Sequence, residues 1–352
     1  MLIVSNRELN AERSGFGAAF EPGSTQLSVA EASLSKDKQW TLKAVQANVG
    51  DAQLVTALRS RLQKQRPVLV YLHGNNKTPE RCFERCARLE ELYDYEVIGY
   101  SWPSEGLMAD GNTQPRLPQG TGNSDAGDLD DVTRENRQDN PIKRKIARYR
   151  QAKRNAEDGT DALARFLRLL GDARQDASAQ AFSLAVHSLG AHYLRHTLQL
   201  PGASPSLSAA HNIALLAPCE SAAGHADWLA KLTPKGQVFV TYNKGDSVLL
   251  GAYIADGEQL KLGTDPGPDR LQGSKRVRYI SFSRANVGPG GHGYFVMDNM
   301  PTNTQRLFQR IFGSLQDVQA GESEKKVYPL GCDTDGLTCY MARPEEDPGD
   351  GG

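Results

Sequence analysis

Residues 181–190 read AFSLAVHSLG, an apolar run that stops at His187-Ser188-Leu189-Gly190 and gives way to a helical pattern from Ala191 to Leu200. Phe182, Leu184 and Val186 suit a buried strand, and the residues beyond Gly190 suit a helix that leaves it through a sharp turn. A serine on such a turn is exposed at the strand's end and is a candidate nucleophile. Gly190 meets the need for small residues where the strand and helix backbones nearly touch. Val186 stands where the G-x-S-x-G pattern carries its first glycine, so the motif is incomplete here. A bare S-x-G is common, and the weight of the reading rests on the rest of the chain.

Working outward, Pro67 to Leu72 (PVLVYL), Val97 to Tyr100, Ile213 to Ala217 and Val238 to Tyr242 are continuous apolar runs, as expected of strands buried on both faces. Helical patterns separate them. Asp51 caps a helix with Leu54, Val55, Leu58 and Leu62 on one face, and a second runs from about Pro79 to Tyr93. A third begins KRKIARYRQAKR and ends with Ala162, Leu163, Phe166, Leu167 and Leu170 on its apolar side. A last strand, Val277 to Phe282, precedes a closing helix over Thr302 to Phe312. The alternation predicts an α/β fold: a mostly parallel central sheet, right-handed crossovers and helices on both faces. Near the start, LIVSN, TQLSV and TLKAV are separated by Gly, Pro and charged residues and predict antiparallel N-terminal edge strands.

A chain of 352 residues admits one large domain or two ordinary ones, and the regular alternation favours one over residues 1–313. Within it, Glu105 to Pro141 turns to Gly, Asp, Asn and Gln, which predicts a polar insertion or lid. Residues 314–352, ending EEDPGDGG, are predicted to be a loosely ordered C-terminal tail. Lys and Arg total 41 against 42 Asp and Glu, a balance that gives no support to a nucleic-acid or acidic-membrane partner. The basic start of the third helix follows Asp125, Asp128, Asp130, Asp131 and Glu135, and reads as a solvated, charge-balanced face. No leader-like apolar segment opens the chain and no run approaches a spanning length of about 20 residues, so no integral membrane association and a cytoplasmic location are expected.

The five cysteines do not suggest a secreted disulfide framework. Cys82 and Cys86, one helical turn apart, are expected to be thiols, while Cys332 and Cys339 flank a turn across which a bridge can form. His192 and His196 are four apart on a helix but lack an H-E-x-x-H pattern, so no metal is expected, and nothing calls for a cofactor. Gly288-Pro289-Gly290-Gly291-His292-Gly293 matches the dinucleotide G-x-G-x-x-G spacing in the wrong context. It follows the last strand, with no βαβ unit left to complete.

Functional groups of an open parallel sheet gather at the carboxyl ends of its strands. The polar residues expected there are Gly74-Asn75 after PVLVYL, Ser188, Asp246 after VFVTY in Asn243-Lys244-Gly245-Asp246, and His292 after the last strand. In chain order they run Ser, Asp, His. Glu220, in Ala217-Pro218-Cys219-Glu220, is a second candidate acid. His187 is expected to point away from Ser188 and pack, Trp102 to line a cleft or to pack, and His211 and His225 to lie in loops.

That chain order, together with SNR near the start, HGNN, SWPS, HSLG and NKGDSVL in sequence, resembles the α/β-hydrolase superfamily across most of Met1 to Gly313. More closely, it resembles an uncharacterised bacterial branch of esterase-like serine hydrolases. The resemblance implies Ser188 as nucleophile, His292 as base and Asp246 as the acid, Glu220 being the alternative. It also implies an oxyanion hole from the backbone N–H groups of Asn75 and Leu189, each worth about 3 kcal/mol in studied holes, with His73 structural. The implied partner is a small-molecule acyl substrate. The insertion is too polar for a lipase lid, which favours a soluble or short-chain ester, and the same residues would serve a peptidase or amidase. A fold kept as a catalytically silent binding module is the remaining alternative.

Overall fold

The computed structural model describes residues 1–35, 37, 39–112, 141–175, 178–271, 274, 276–313, 330–332 and 338–341. Most of the polar insertion and of the C-terminal tail therefore lies outside the described residues.

The amino-terminal strands are β1 (Leu2–Ser5), the hairpin β2 (Arg7–Leu9) and β3 (Phe16–Phe20), then β4 (Ser28–Leu34) and β5 (Trp40–Gln46). Helix α1 (Asp51–Leu62) leads to β6 (Val68–Leu72), α2 (Pro79–Tyr93) and β7 (Glu96–Ser101). Next come α3 (Pro141–Asp158), α4 (Thr160–Arg174), β8 (Phe182–His187) and α5 (Gly190–Thr197). The chain continues through a single turn, α6 (Ala203–Ser206), β9 (Ile213–Leu216), α7 (His225–Leu229), β10 (Val238–Tyr242) and α8 (Ser247–Ala255). It finishes with β11 (Val277–Ser281), α9 (Thr302–Phe312), β12 (Leu330–Cys332) and β13 (Thr338–Met341).

One sheet holds eleven of these strands in the order β12-β13-β11-β10-β9-β8-β6-β7-β1-β4-β5. From β11 to β1 every neighbouring pair is parallel, and β4 and β5 add antiparallel strands at the amino-terminal edge. All residues of β6, β8, β9 and β10 are buried, because helices cover both faces and leave no solvent side to alternate toward. The expected mostly parallel α/β sheet with antiparallel N-terminal strands is thus the architecture of the chain.

Topology positions the site. From β6 the chain moves to β7 on one side, whereas β8, on the other side of β6, moves on to β9 in the opposite direction. Right-handed crossovers therefore send α2 and α5 to opposite faces, and α2 packs with α9 while α5 packs with α3 and α4. The reversal lies between β6 and β8, whose register pairs Leu72 with Val186. A crevice opens outside the carboxyl ends at such a point. Gly74-Asn75 and Ser188 both follow those ends. A surface cleft of about 710 Å³ lined by His211, Gln237 and Val277 lies at the opposite ends of the strands and takes no part in this arrangement.

Three details differ from the sequence reading. The long third helix is two, α3 and α4, divided at Gly159, whose ψ near 1° leaves the helical range and whose carbonyl accepts a hydrogen bond from Tyr193 Oη at 2.6 Å. The β2–β3 hairpin was not expected, its strands being short and mixed. The segment after residue 313 contributes β12 and β13 to the sheet edge, β13 running parallel to β11, in place of a loose tail throughout. There Cys332 and Cys339 stand opposite each other in antiparallel register. Cys82, Cys86 and Cys219 are buried free thiols.

Candidate active site

Ser188 sits between the end of β8 and the start of α5 with φ of 52°, a left-handed conformation that costs a non-glycine residue of order 1 kcal/mol or more. Hydrogen bonds hold it there: its N–H donates to Leu216 O at 2.9 Å, and its carbonyl accepts from Ala191 N and Cys219 N at 3.0 Å each. Two glycines supply the clearance. A Cβ on Gly190 would lie 2.9 Å from His73 O, and one on Gly74 would lie 2.7 Å from Ser188 Cβ. Space that G-x-S-x-G elbows draw from the residue two before the serine comes here from Gly74 on the neighbouring strand end, and Val186 stays fully buried beneath the turn.

Across the crevice, His292 Nδ1 lies 2.6 Å from Asp246 Oδ2, and a carboxylate there accepts the Nδ1–H. The other carboxylate oxygen caps α8, accepting from Val248 N at 3.0 Å and Leu249 N at 2.9 Å, so the acid is fixed by the helix it starts. The His292 loop turns on Gly288, Gly290 and Gly291, all at positive φ. Asn243 ties it to the Asp246 loop, donating from Nδ2 to Gly291 O at 2.9 Å and accepting from Gly245 N at 3.0 Å. The glycine run lies in a histidine-bearing loop between β11 and α9, and because β13 follows parallel to β11 the expectation that no βαβ unit remains is corrected; α9 begins only at Thr302, so the glycines do not open a helix as a dinucleotide fingerprint does. His292 Nε2, Ser188 Oγ and the N–H groups of Asn75 and Leu189 have no hydrogen-bond partner among the described residues. All four belong to the carboxyl ends of β6 and β8 and the loop beyond β11.

Glu220, the alternative acid, is engaged elsewhere. Its carboxylate takes His192 Nδ1 at 2.8 Å, Arg195 Nη1 at 2.6 Å and Ser221 N at 2.9 Å. Burial works against its charge, but the His192 bond and charge, with Ser221 and Arg195, outweigh it and hold the carboxyl well below the usual range. His73 is fully buried, accepts from Trp102 N at Nε2 (3.0 Å) and stacks on the Trp102 ring. Burial lowers its pKa to about 3, leaving it neutral. Trp102, also fully buried, is packed against His73 and Tyr193.

His187 is packed, as expected, and its neighbour is the candidate base. Its ring lies against His292, with centroids 4.7 Å apart, and against Phe295, and both ring nitrogens are buried with no hydrogen-bond partner among the described residues. Burial, reinforced by the neighbouring His292, pushes its pKa well down, so the ring beside His292 is neutral. His225 is no loop residue: it begins α7, buried, with Nε2 2.8 Å from Tyr279 Oη. Arg7 of the SNR segment had no predicted role. It is fully buried and donates from Nη2 to Trp102 O at 2.6 Å and Lys77 O at 3.0 Å, binding the HGNN and SWPS loops together.

A family model described as "Alpha/beta hydrolase of unknown function (DUF900)" matches residues 50–263. The chain belongs to that family. The match runs from α1 through β10 and α8, and so includes the Gly74-Asn75 turn, the Ser188 elbow and the Asp246 cap of this α/β hydrolase. His292 lies beyond it. No curated protein and no solved structure matches the chain. Among the described residues no helix is long and apolar enough to cross a membrane.

Proposed function

We propose that this α/β hydrolase is a serine carboxylester hydrolase that works through an acyl-enzyme. Ser188 Oγ attacks the ester carbonyl and its proton passes to His292 Nε2, while Asp246 holds Nδ1–H and stabilises the imidazolium. The carbonyl oxygen, now an oxyanion, takes the N–H groups of Asn75 and Leu189. Collapse of the tetrahedral intermediate returns the proton to the departing alcohol. Water, deprotonated by His292, then releases the acid and restores Ser188.

The observation that carries the reading is the 2.6 Å Asp246–His292 contact, with the His292 ring against that of His187, the residue before a serine held at positive φ at the topological switch point. The neutral His187 ring supports it, because an imidazolium forming at His292 meets no second positive charge there. Access is restricted, with Ser188 only 4 % exposed and the His292 side chain 14 %, which fits a small acyl group better than a bulky one. A fluorophosphonate probe is expected to label the protein stoichiometrically and to lose its target in Ser188→Ala. A folded protein that never reacts, with the probe or with short-chain p-nitrophenyl esters, would leave the fold as a silent scaffold.

A further inference from the structure

His192 and His196 lie one turn apart on α5, the helix that Ser188 introduces, with ring centroids 4.3 Å apart on one face. Glu157, near the end of α3, places Oε1 2.9 Å from His192 Nε2 and 3.9 Å from His196 Nε2. The donor atoms of all three lie within 4.8 Å of one another. A tetrahedral Zn²⁺ with bonds of about 2.0–2.1 Å separates its ligand atoms by about 3.3 Å. The two Glu157–histidine separations bracket that spacing, and Glu157 and His196, the more exposed side chains, have room to adjust onto an ion.

The surroundings match what a metal-bound histidine requires. Glu220 takes the other ring nitrogen, His192 Nδ1, at 2.8 Å and is itself fixed by Arg195 and the Ser221 N–H. A carboxylate there sets the tautomer, directs the Nε2 lone pair into the site and raises its basicity. The cluster has one rigid side and one open side: the His192 side chain is 6 % exposed, that of His196 28 % and that of Glu157 43 %. An ion can enter from solvent and keep a water as its fourth ligand.

We propose that Glu157, His192 and His196 form a zinc-type divalent metal site, with Glu220 as the residue that positions His192. Two imidazoles and one carboxylate suit Zn²⁺ and its neighbours Co²⁺ and Ni²⁺. On binding, the ion replaces the proton that joins His192 Nε2 to Glu157 in its absence. That proton leaves to solvent and no electron moves. The site excludes Ser188, Asp246 and His292. It joins α3 to the nucleophile's helix and to the loop after β9, and would act as a staple behind the elbow.

The test uses the full chain, stripped with chelator and titrated with Zn²⁺ by calorimetry and with Co²⁺ by visible absorption. One ion per chain is expected, with Kd of about 1 µM or tighter, a tetrahedral Co²⁺ spectrum and a rise in Tm. His196→Ala and Glu157→Gln, both at the open side and tolerable to the fold, are expected to weaken binding at least ~100-fold. Glu220→Gln should weaken it ~10–100-fold, as loss of an orienting carboxylate does. No binding at 100-fold higher zinc, or binding that survives both His196→Ala and Glu157→Gln, overturns the proposal. Because the readouts are binding and spectra, the result stands apart from whether Ser188 proves to be a nucleophile.

Discussion

Asp246 does two jobs with its two oxygens, and the two can be separated by substitution. Oδ2 faces His292 and Oδ1 caps α8. In Asp246→Asn the remaining oxygen still caps, since asparagine is as good an N-cap as aspartate. Its amide then presents a donor to His292 Nδ1, which forces the proton onto Nε2, where it cannot receive one from Ser188. Turnover is expected to fall ~10⁴-fold, about 5.5 kcal/mol of transition-state stabilisation, with stability within about 0.5 kcal/mol of the parent. Asp246→Ala should lose the same activity and also about 2 kcal/mol of stability, because the cap is gone and buried N–H groups are left unpaired. The assays are p-nitrophenyl acetate hydrolysis with its burst phase, and urea unfolding of both variants. If Asp246→Asn stays within tenfold of the parent while Glu220→Gln is inactive, the acid has been assigned to the wrong carboxylate.

Gly74→Ala would place a methyl 2.7 Å from Ser188 Cβ and 3.1 Å from His187 O, so Ser188 and the Asn75 turn must separate. Misplacement on that scale predicts a loss of ~100-fold or more in kcat/KM with circular dichroism unchanged, and an active Gly74→Ala would refute the tight elbow. Stability should also depend on pH through His73, whose folded pKa of about 3 lies below the ordinary histidine value near ~6.5. The unfolded chain takes up the proton first, so stability falls as pH drops from about 6.5 toward 3, by about 2 kcal/mol at pH 5 for this one ring. His187, depressed in the same direction, adds to the slope. The urea midpoint measured at pH 7 and pH 5 checks it, with a shallower fall expected in His73→Asn, and a flat profile would mean these rings are not buried neutral.

The central strands were legible because burial on both faces forces continuous apolar runs such as Val68–Leu72 and Val238–Tyr242. The shortest strands were not legible: β12 and β13 are three and four residues long, and β2 and β3 carry charged or small side chains in place of an apolar run. Gly159 looked like an ordinary interior residue because a one-residue kink leaves the helical periodicity on either side intact. The same division holds at the site. Ser188, Asp246 and His292 could be picked out because each follows an apolar strand, and the structure joins the last two at 2.6 Å. The neighbour relations of Arg7, His187 and Glu157 depend on which strand and helix ends meet in space. No local pattern carries that information.

The reversal between β6 and β8 also has a bearing on how the chain acquires its chemistry. Asn75 and Ser188 come from distant parts of the sequence and meet only when β6 and β8 pair, a contact whose loop-closure entropy is large and whose formation is correspondingly slow. Helices α1, α2 and α4 can form from local contacts well before that. During refolding, helical ellipticity should therefore return ahead of any reactivity at Ser188. On the proposed mechanism, Ser188 gains its reactivity only once β6 and β8 have paired.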